Sequence, residues 1–193
     1  MANTQPYTII VGVGQLYVGP ANEPKPALTA VPSGNWRLLG ETDDGVKITK
    51  SRSREKFTTD QRTGAVKAVQ TEEGLRIETS LVDNTLENMA DASGGTVTVT
   101  PPGSGTIGTK KLGMYTGATV GEKAFLYRGT SPYGDYPAQY YLPRGYFDDD
   151  VELEYKKDEK TLIPLAVEAL EDLNASSVDE RFGIWEDQYA AAL

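Results

Sequence analysis

The sequence predicts a mainly β protein. Two stretches, 46–51 and 75–81, alternate apolar and polar side chains, which is the pattern of strands with one buried face. The 193 residues include 20 Gly and 20 Thr, a composition that favours strands and tight turns. Only one short stretch, 84–92, carries both the start and the stop signal of a helix. The length fits a single domain that spans residues 1–193.

The first forty residues are predicted to contain an arm, two strands and a loop. Residues 1–7 are polar and are expected to form an N-terminal arm, and the apolar run at 8–18 predicts a strand. The stretch 21–35 is rich in proline and has no apolar period, so it is predicted to be a surface loop. A short strand is expected at 36–39.

The following residues are predicted to form a long β-hairpin. Its strands, 45–53 and 74–82, each place apolar side chains on one face and polar side chains on the other. The connection at 52–64 is basic and poor in apolar residues, and Thr63-Gly64 supplies a turn. The sequence therefore predicts a hairpin with a charged loop at its tip.

A short helix is predicted at 84–92. Asn84 and Glu87 have the spacing of a capping box, in which each side chain accepts a hydrogen bond from the other residue's backbone N–H. Gly94-Gly95 then ends the helix. The alternating stretch 96–100 predicts a strand directly after it.

The C-terminal half gives weaker signals. Several short strands are expected within 104–147, and alternation predicts an acidic strand at 150–154. The stretch 161–173 fits both a helical and a strand period, which periodicity alone does not separate. The acidic segment 174–193 is expected to have anchors at Phe182, Ile184 and Trp185 and a frayed helical end from Tyr189 to Leu193.

The composition excludes several kinds of chemistry. The chain has no Cys and no His, which removes disulfides, Cys or His metal sites, and nucleophiles activated by imidazole. No apolar run is long enough to span a bilayer, and the first residues lack the features of a signal peptide, so a soluble protein made in the cytoplasm is expected. With a net charge of -9, the chain is also unlike proteins that hold nucleic-acid phosphates tightly.

Two local patterns resemble chemical sites but lack features that those sites need. Gly12 and Gly14 follow an apolar run, but Gly19-Pro20 prevents the helix that a dinucleotide-binding motif needs. The carboxylates of 148–154 could serve a Ca²⁺ site only with ligands from elsewhere and a turn around the ion, so an acidic strand that faces solvent or an interface is the preferred interpretation. We therefore expect no catalytic residues, no metal and no cofactor.

The charges are distributed unevenly along the chain. Residues 47–62 carry six basic and two acidic side chains, whereas 148–193 carry four basic and fourteen acidic ones. If the hairpin projects from the body, these regions can neutralise each other only between copies of the chain. Contact between two different patches is heterologous, and it produces rings or filaments.

The order of several sequence blocks resembles the major tail tube protein of long-tailed, non-contractile bacteriophages. The blocks are WRLLGETDDGVKITKS at 36–51, FTTDQRTGAVKAV at 57–69, LRIETSLVDNTLENMA at 75–90 and TLIPLAVEALED at 161–172. Together they cover about half of the chain, and none is a catalytic signature.

The resemblance implies a β-sandwich or half-barrel subunit with one packed helix and a long hairpin loop. Such subunits join in rings, usually of six, and hairpin-forming stretches of each subunit complete a closed β-barrel around a channel. Stacked rings then form a tube that conducts DNA during ejection. On this basis 161–167 is expected to be a strand. The 104–147 region matches none of these blocks and is expected to be an outward decoration.

The resemblance also implies roles for particular residues. Val46, Ile48, Leu75, Ile77 and Leu81 would pack in the core. The candidates for the channel surface are Lys47, Thr49, Ser51, Arg76, Glu78 and Ser80. The candidates for a loop that reaches the next ring are Arg52, Arg54, Lys56, Asp60 and Arg62. The candidates for an acidic counter-surface are Asp148, Asp150, Glu152 and Glu154.

The channel set is mixed in charge, whereas the family suggests a negative channel. Either other strands, such as 150–154, supply the acid, or the facing of the hairpin is inverted. The implied partners are further copies of the same chain, the tape measure protein, the tail terminator and initiator, and DNA in transit. The implied location is the virion tail, with the N-terminal and C-terminal segments as arms across subunits.

Two other functions remain open from the sequence. A carbohydrate-binding β-sandwich is the first, with an aromatic platform drawn from Tyr133, Tyr136, Tyr140, Tyr141, Tyr146 and Phe147. The second is the inner tube of a contractile injection apparatus, which the sequence hardly distinguishes from a non-contractile tail.

Overall fold

A computed structural model describes residues 12–115, 117 and 119–191. It confirms the prediction of a mainly β protein with one α-helix. The elements are β1 (Gln15–Pro20), β2 (Arg37–Leu38), β3 (Thr42–Phe57), β4 (Lys67–Leu81), α1 (Leu86–Ser93), β5 (Thr96–Thr100), β6 (Thr109–Gly113), β7 (Lys123–Thr130), β8 (Pro137–Phe147), β9 (Ile163–Ala169), a 3-10 helix (Val178–Glu180) and β10 (Ile184–Asp187). The predicted N-terminal arm, 1–7, lies outside the described residues.

One antiparallel sheet contains eight of the strands. Its order is β2-β1-β7-β8-β9-β4-β3, and β10 pairs with β8 outside this path. On the side away from β7, β8 is long enough to pair with two strands: residues 138–141 pair with β10, and residues 145–147 pair with β9. β5 and β6 form a separate two-stranded sheet. Within the described residues the main sheet does not close on itself, and β2 and β3 are the end strands of its path.

The sheet curls so that its two halves share a hydrophobic core. Leu16, Phe125 and Leu142 of the β1, β7 and β8 half pack in one cluster with Ile77 and Leu165 of the β4 and β9 half. All five side chains are at most 2% exposed. The core therefore lies inside the curve of the sheet, and α1 adds Ala92 to it.

The proline-rich loop covers the opposite face of β1, β7 and β8. Tyr141 Oη donates to Glu23 O at 2.8 Å, and Arg128 Nη1 donates to Leu28 O at 2.8 Å. Trp36 closes a second small cluster beneath the loop with Leu126 and its neighbours. The predicted surface loop thus has a structural role, because it buries the outer face of three strands.

The helix begins one residue later than the sequence predicts. Thr85 is the N-cap, and its hydroxyl accepts from Asn88 N at 3.2 Å. The predicted capping box is wrong, because the Asn84 side chain donates instead to Thr161 O at 2.5 Å and ties the start of the helix to the residues just before β9. Gly94 ends the helix in the left-handed conformation with φ 74°, as the predicted glycine stop requires.

Asn88 joins the helix to two other parts of the chain. Its side chain is 1% exposed, and its Nδ2 donates to Leu39 O and to Asp83 O, both at 2.8 Å. Its Oδ1 accepts from Arg37 Nη1 at 2.6 Å. Replacing Asn88 by Ala is expected to lower the free energy of unfolding by about 3 kcal/mol, because buried carbonyls and a guanidinium lose their partners. Chemical denaturation measures this change.

The matched control for that variant is Asn84→Ala. Asn84 is exposed and water replaces its hydrogen bonds, so its loss is expected to cost less than about 1 kcal/mol. Equal effects of the two substitutions would show that the buried network does not hold the helix.

The 104–147 region is not an outward decoration, contrary to expectation. β7 and β8 lie at the centre of the main sheet, and Phe125 and Leu126 are 0% exposed. The error arose because buried central strands read as continuous apolar runs, without the alternation that marks a half-buried strand. Among the strands of the described residues, β5 and β6 are the two that lie outside the main sheet.

Two further predictions about the C-terminal half are corrected and one is confirmed. The stretch 161–173 contains the strand β9, as the resemblance implied. The predicted strand at 150–154 is wrong, because this segment runs without a ladder partner. The predicted helical end at 189–193 is absent from 189–191, the described part of it.

The acidic C-terminal segment folds back on its own chain. β10 pairs with β8 over Ile184–Asp187, so this part is a strand of the same subunit. The Trp185 ring stacks on Tyr140 at 4.6 Å between centroids. Trp185 and Ile184 are therefore anchors, as predicted, but they anchor the segment to its own sheet.

Candidate functional site

The β3–β4 hairpin projects from the body of the protein. Every residue from 49 to 73 is exposed, and at about 3.4 Å per residue the projecting part extends about 30 Å. The predicted loop at 52–64 is in part strand, because ladder pairing continues to Phe57 and Lys67. Paired backbone groups satisfy each other even where neither face of the ribbon is buried.

The hairpin has two faces of different composition near the body. Val46, Ile48 and Ile77 contact the core, as expected for the apolar face. The opposite face, which we call the polar face, carries the six residues predicted for the channel surface. These are Lys47, Thr49, Ser51, Arg76, Glu78 and Ser80, which alternate with the core-facing positions of β3 and β4.

Arg76 is the centre of an ion-pair cluster on the polar face. Its guanidinium lies 2.8 Å from Asp148, 3.2 Å from Glu168 and 3.2 Å from Glu78. The hydrogen bonds that Arg76 donates to Glu168 and then to Asp148 raise the pKa of Arg76 further above its ordinary value. Lys47, 2.7 Å from Glu78, and then Arg76 lower the pKa of the Glu78 carboxyl.

Glu168 was missed as a functional candidate. It lies on β9 directly opposite Arg76, so the register between β4 and β9 brings it to the polar face. With it, this cluster contains two cations and three carboxylates, and one negative charge is in excess. The additional acid next to the hairpin thus comes from β9 and Asp148, and not from a strand at 150–154.

Beyond the core, the apolar face of the hairpin becomes basic. From Val46 onwards β3 contains no β-bulge residue. Its even-numbered side chains therefore stay on one face of the hairpin as far as Lys56. This basic face carries Lys50, Arg52, Arg54 and Lys56. Glu73 lies 2.5 Å from Lys50 and 3.9 Å from Arg52, whereas Arg54 and Lys56 make no ion pair among the described residues. Asp60 and Arg62 lie in the turn.

The candidates for the acidic counter-surface lie at the other end of the hairpin. Asp148 is held by Arg76, and Glu154 lies 2.9 Å from Lys156. Asp150 and Glu152 are exposed and make no ion pair within the described part of the chain. Glu152 and Glu154 share a shallow surface depression with Ser80, which is at the end of β4 remote from the turn.

β3 leaves one edge of the sheet unpaired. Along its 16 residues it pairs with β4 on one side and with no other described strand on the other. Next to it runs an apolar groove whose lining includes Ile48, Tyr140, Phe182 and Trp185. Trp185 is 56% exposed at this groove, and burial followed by the charge of Asp187 raises the pKa of Tyr140 to about 12.

The aromatic residues considered for sugar binding do not form one platform. Tyr140 and Tyr141 are consecutive strand residues and point to opposite faces of β8. Tyr141 packs edge-to-face on Trp36 beneath the proline-rich loop, and Phe147 packs on Phe125 at the core. The carbohydrate-binding interpretation loses the flat surface on which it depended.

Neither a metal cluster nor a spanning helix is found in the described residues. In 12–115, 117 and 119–191, no three acidic side chains are grouped as ligands for one ion. Gly14 is explained by packing, because a Cβ there would lie 2.1 Å from Arg128 O. Among the helices of these residues, none has the length and apolar character that crossing a membrane needs.

The subunit exposes more surface than a compact protein of its size. Its accessible surface is 13198 Å², against roughly 9,000 Å² for a compact monomer of 20.9 kDa. The projecting hairpin, which is exposed at every residue from 49 to 73, contributes to this excess.

Comparison with known proteins agrees with this description. No curated protein matches the chain. A family model described as Phage tail tube protein matches residues 1–179, which include the hairpin, its polar and basic faces and all strands except β10. The chain therefore belongs to the phage tail tube protein family.

Proposed function

We propose that this tail tube subunit assembles into rings, of six copies, in which the β3–β4 hairpins complete a closed β-barrel around a channel. Membership of the family makes the chain a structural component of the virion tail that self-associates into a tube. The rings stack, and the channel conducts DNA during ejection. The chain acts by assembly and not by catalysis.

The unpaired edge of β3 carries this proposal. A long exposed edge strand presents a row of unpaired N–H and C=O groups, which is a template for pairing with another chain. β3 has 16 residues and its outer edge is uncovered among the described residues, so a neighbouring subunit is the natural partner. Repeating that contact around a ring leaves no copy of β3 with an unpaired edge.

The polar face supports the assignment of the channel surface. It turns away from the core and carries an excess of one negative charge in the cluster around Arg76. Carboxylates repel DNA phosphates, so DNA slides past such a surface without being held. The tape measure protein would occupy the same channel before ejection, and the terminator and initiator would contact the ends of the tube.

Electron microscopy of the purified protein tests the proposal. Negative staining is expected to show rings and tubes, and the emission of Trp185 is expected to shift to the blue as the protein concentration rises. The reason is that the groove beside β3 closes when the next subunit pairs with that strand. The only other tryptophan, Trp36, is 8% exposed already and contributes little to the change.

The control for the fluorescence signal is Trp185→Phe, which keeps an aromatic ring on Tyr140 and leaves Trp36 as the sole reporter. Its emission is expected not to depend on concentration. A protein that stays monomeric at high concentration, even with a tail initiator present, would refute the proposal. Tight, sequence-specific binding of duplex DNA would refute the channel assignment.

A further inference from the structure

We propose that Arg52, Arg54 and Lys56 of one copy pair with Asp150, Glu152 and Glu154 of a second copy in the next ring. The inference rests on the proposed function, because it takes rings as the units that stack. It adds the two surfaces that join one ring to another and the register in which they meet.

The first step is the arrangement of the basic face. Arg52, Arg54 and Lys56 lie at alternate positions of β3, so their side chains leave the same face about 7 Å apart. Only Arg52 approaches a carboxylate of its own chain, at 3.9 Å. The face continues the core-facing side of the hairpin, and beyond the core nothing in the described residues covers it.

The second step is the matching pattern of the carboxylates. Val151 and Leu153 pack against the core, while Glu152 between them and Asp150 and Glu154 on either side are exposed. Three exposed carboxylates thus alternate with core-packed residues in this segment, and they match the three cations of β3 in number and are opposite to them in charge. The middle residues, Arg54 and Glu152, meet whichever way the two segments run.

The third step is the position of the two surfaces in the molecule. The basic face lies towards the turn of the hairpin, and Glu152 lies next to Ser80, at the far end of β4. A contact between opposite ends of identical subunits is heterologous and does not close on itself, so it builds an open stack. Opposite ends of opposite charge fix the direction of stacking.

The hairpin also carries apolar side chains that add affinity. Phe57, Val66 and Val69 are 45%, 46% and 39% exposed close to the turn. Exposed ion pairs contribute little free energy each and mainly select partner and register, whereas buried apolar area supplies affinity. The ion pairs therefore decide where the hairpin docks, and the apolar residues are covered once it has docked.

Charge reversal tests the pairing. The hairpin variant carries Arg52→Glu, Arg54→Glu and Lys56→Glu, and the acidic variant carries Asp150→Lys, Glu152→Lys and Glu154→Lys. Each is expected to form rings but to need a roughly tenfold or higher protein concentration to form tubes, because three attractive pairs become repulsive in every subunit contact. Combining all six substitutions in one chain is expected to restore the tubes.

The matched control is Lys111→Glu with Asp135→Lys, which reverses exposed charges that make no ion pair in the described residues and is expected to leave tube formation unchanged. Circular dichroism checks that every variant is folded. If the hairpin variant or the acidic variant formed tubes at the wild-type concentration, the inference would be overturned. It would also be overturned if the variant with all six substitutions folded but did not stack. Loss of the rings themselves in a folded reversed variant would also overturn it.

Cross-linking supplies a direct measurement. The chain contains no Cys, so Arg54→Cys with Glu152→Cys places two unique thiols in each subunit. In tubes, a short bifunctional maleimide is expected to link the subunits of successive rings into a ladder of covalent multimers. In isolated rings, the subunits are expected not to be linked. Efficient linking within isolated rings would overturn the inference. If the wild-type protein formed no rings at all, the proposed function itself would fail.

Discussion

Removing the projecting part of the hairpin is expected to give a folded subunit that forms neither rings nor tubes. Ser51 and Gly74 are opposite one another in the ladder, so residues 52–73 can be replaced by Asn-Gly, a pair that favours two-residue hairpin turns. All the deleted residues are exposed, and the ion pairs that Glu73 makes are internal to the hairpin. The unfolding temperature is therefore expected to change by only a few degrees. Sedimentation and negative staining measure the loss of assembly.

The β5–β6 hairpin provides the control for this deletion. Its connection, 101–108, is also fully exposed, and Thr100 is paired with Thr109, so the same Asn-Gly replacement fits there. This control is expected to assemble as the wild type does. Tubes made by the shortened β3–β4 variant would contradict the proposed function, and a failure of that variant to fold would contradict the view that the hairpin is independent of the core.

The parts of the fold that the sequence predicts well are those with one buried face. In β3 and β4 near the body, Val46, Ile48 and Ile77 recur at every second position because one side of the ribbon packs on the core. The strand at 96–100 and the glycine that ends α1 are also predicted correctly. For β9 the period was ambiguous, and only the resemblance to tail tube proteins selected a strand.

Alternation of apolar and polar residues does not identify every strand of this protein. Residues 49–57 and 67–73 are strand although both faces are exposed, because cross-strand backbone pairing alone holds them. The opposite error occurs at 150–154, where Val151 and Leu153 alternate with acids because they cover the core from an irregular segment. Alternation reports burial of one face, and a ladder partner is a separate requirement.

The charge of the candidate site depended on long-range pairing that a single sequence does not specify. Glu168 reaches the polar face only because β9 pairs with β4 in the register that sets it opposite Arg76. A shift of one residue would turn Glu168 to the core side and bring Val167 or Ala169 to the polar face. The six channel candidates lie on the hairpin itself, where the turn restricts the register, whereas no turn constrains the register of β9 in the same way.

Replacing Gly183 by Ala is expected to detach β10 and to lower the free energy of unfolding by about 3 kcal/mol. Gly183 has φ 129°, which side chains rarely tolerate, and a Cβ there would lie 2.3 Å from Tyr141 O. Because this oxygen belongs to the backbone of β8, no side chain can move to make room. Chemical denaturation of the monomer measures the loss. Release of Trp185 is also expected to lower the pKa of Tyr140 from about 12, since burial is its main cause.

The control is Gly64→Ala, at a turn glycine with no atom within 4 Å of the added Cβ and no positive φ. It is expected to change stability by less than about 0.5 kcal/mol. The pair of variants also decides between two arrangements of the C-terminal segment. If β10 pairs with β8 of its own chain, Gly183→Ala weakens the monomer. If the segment were an arm that crosses to a neighbour, the monomer would be unaffected and only the assembled tube would be less stable.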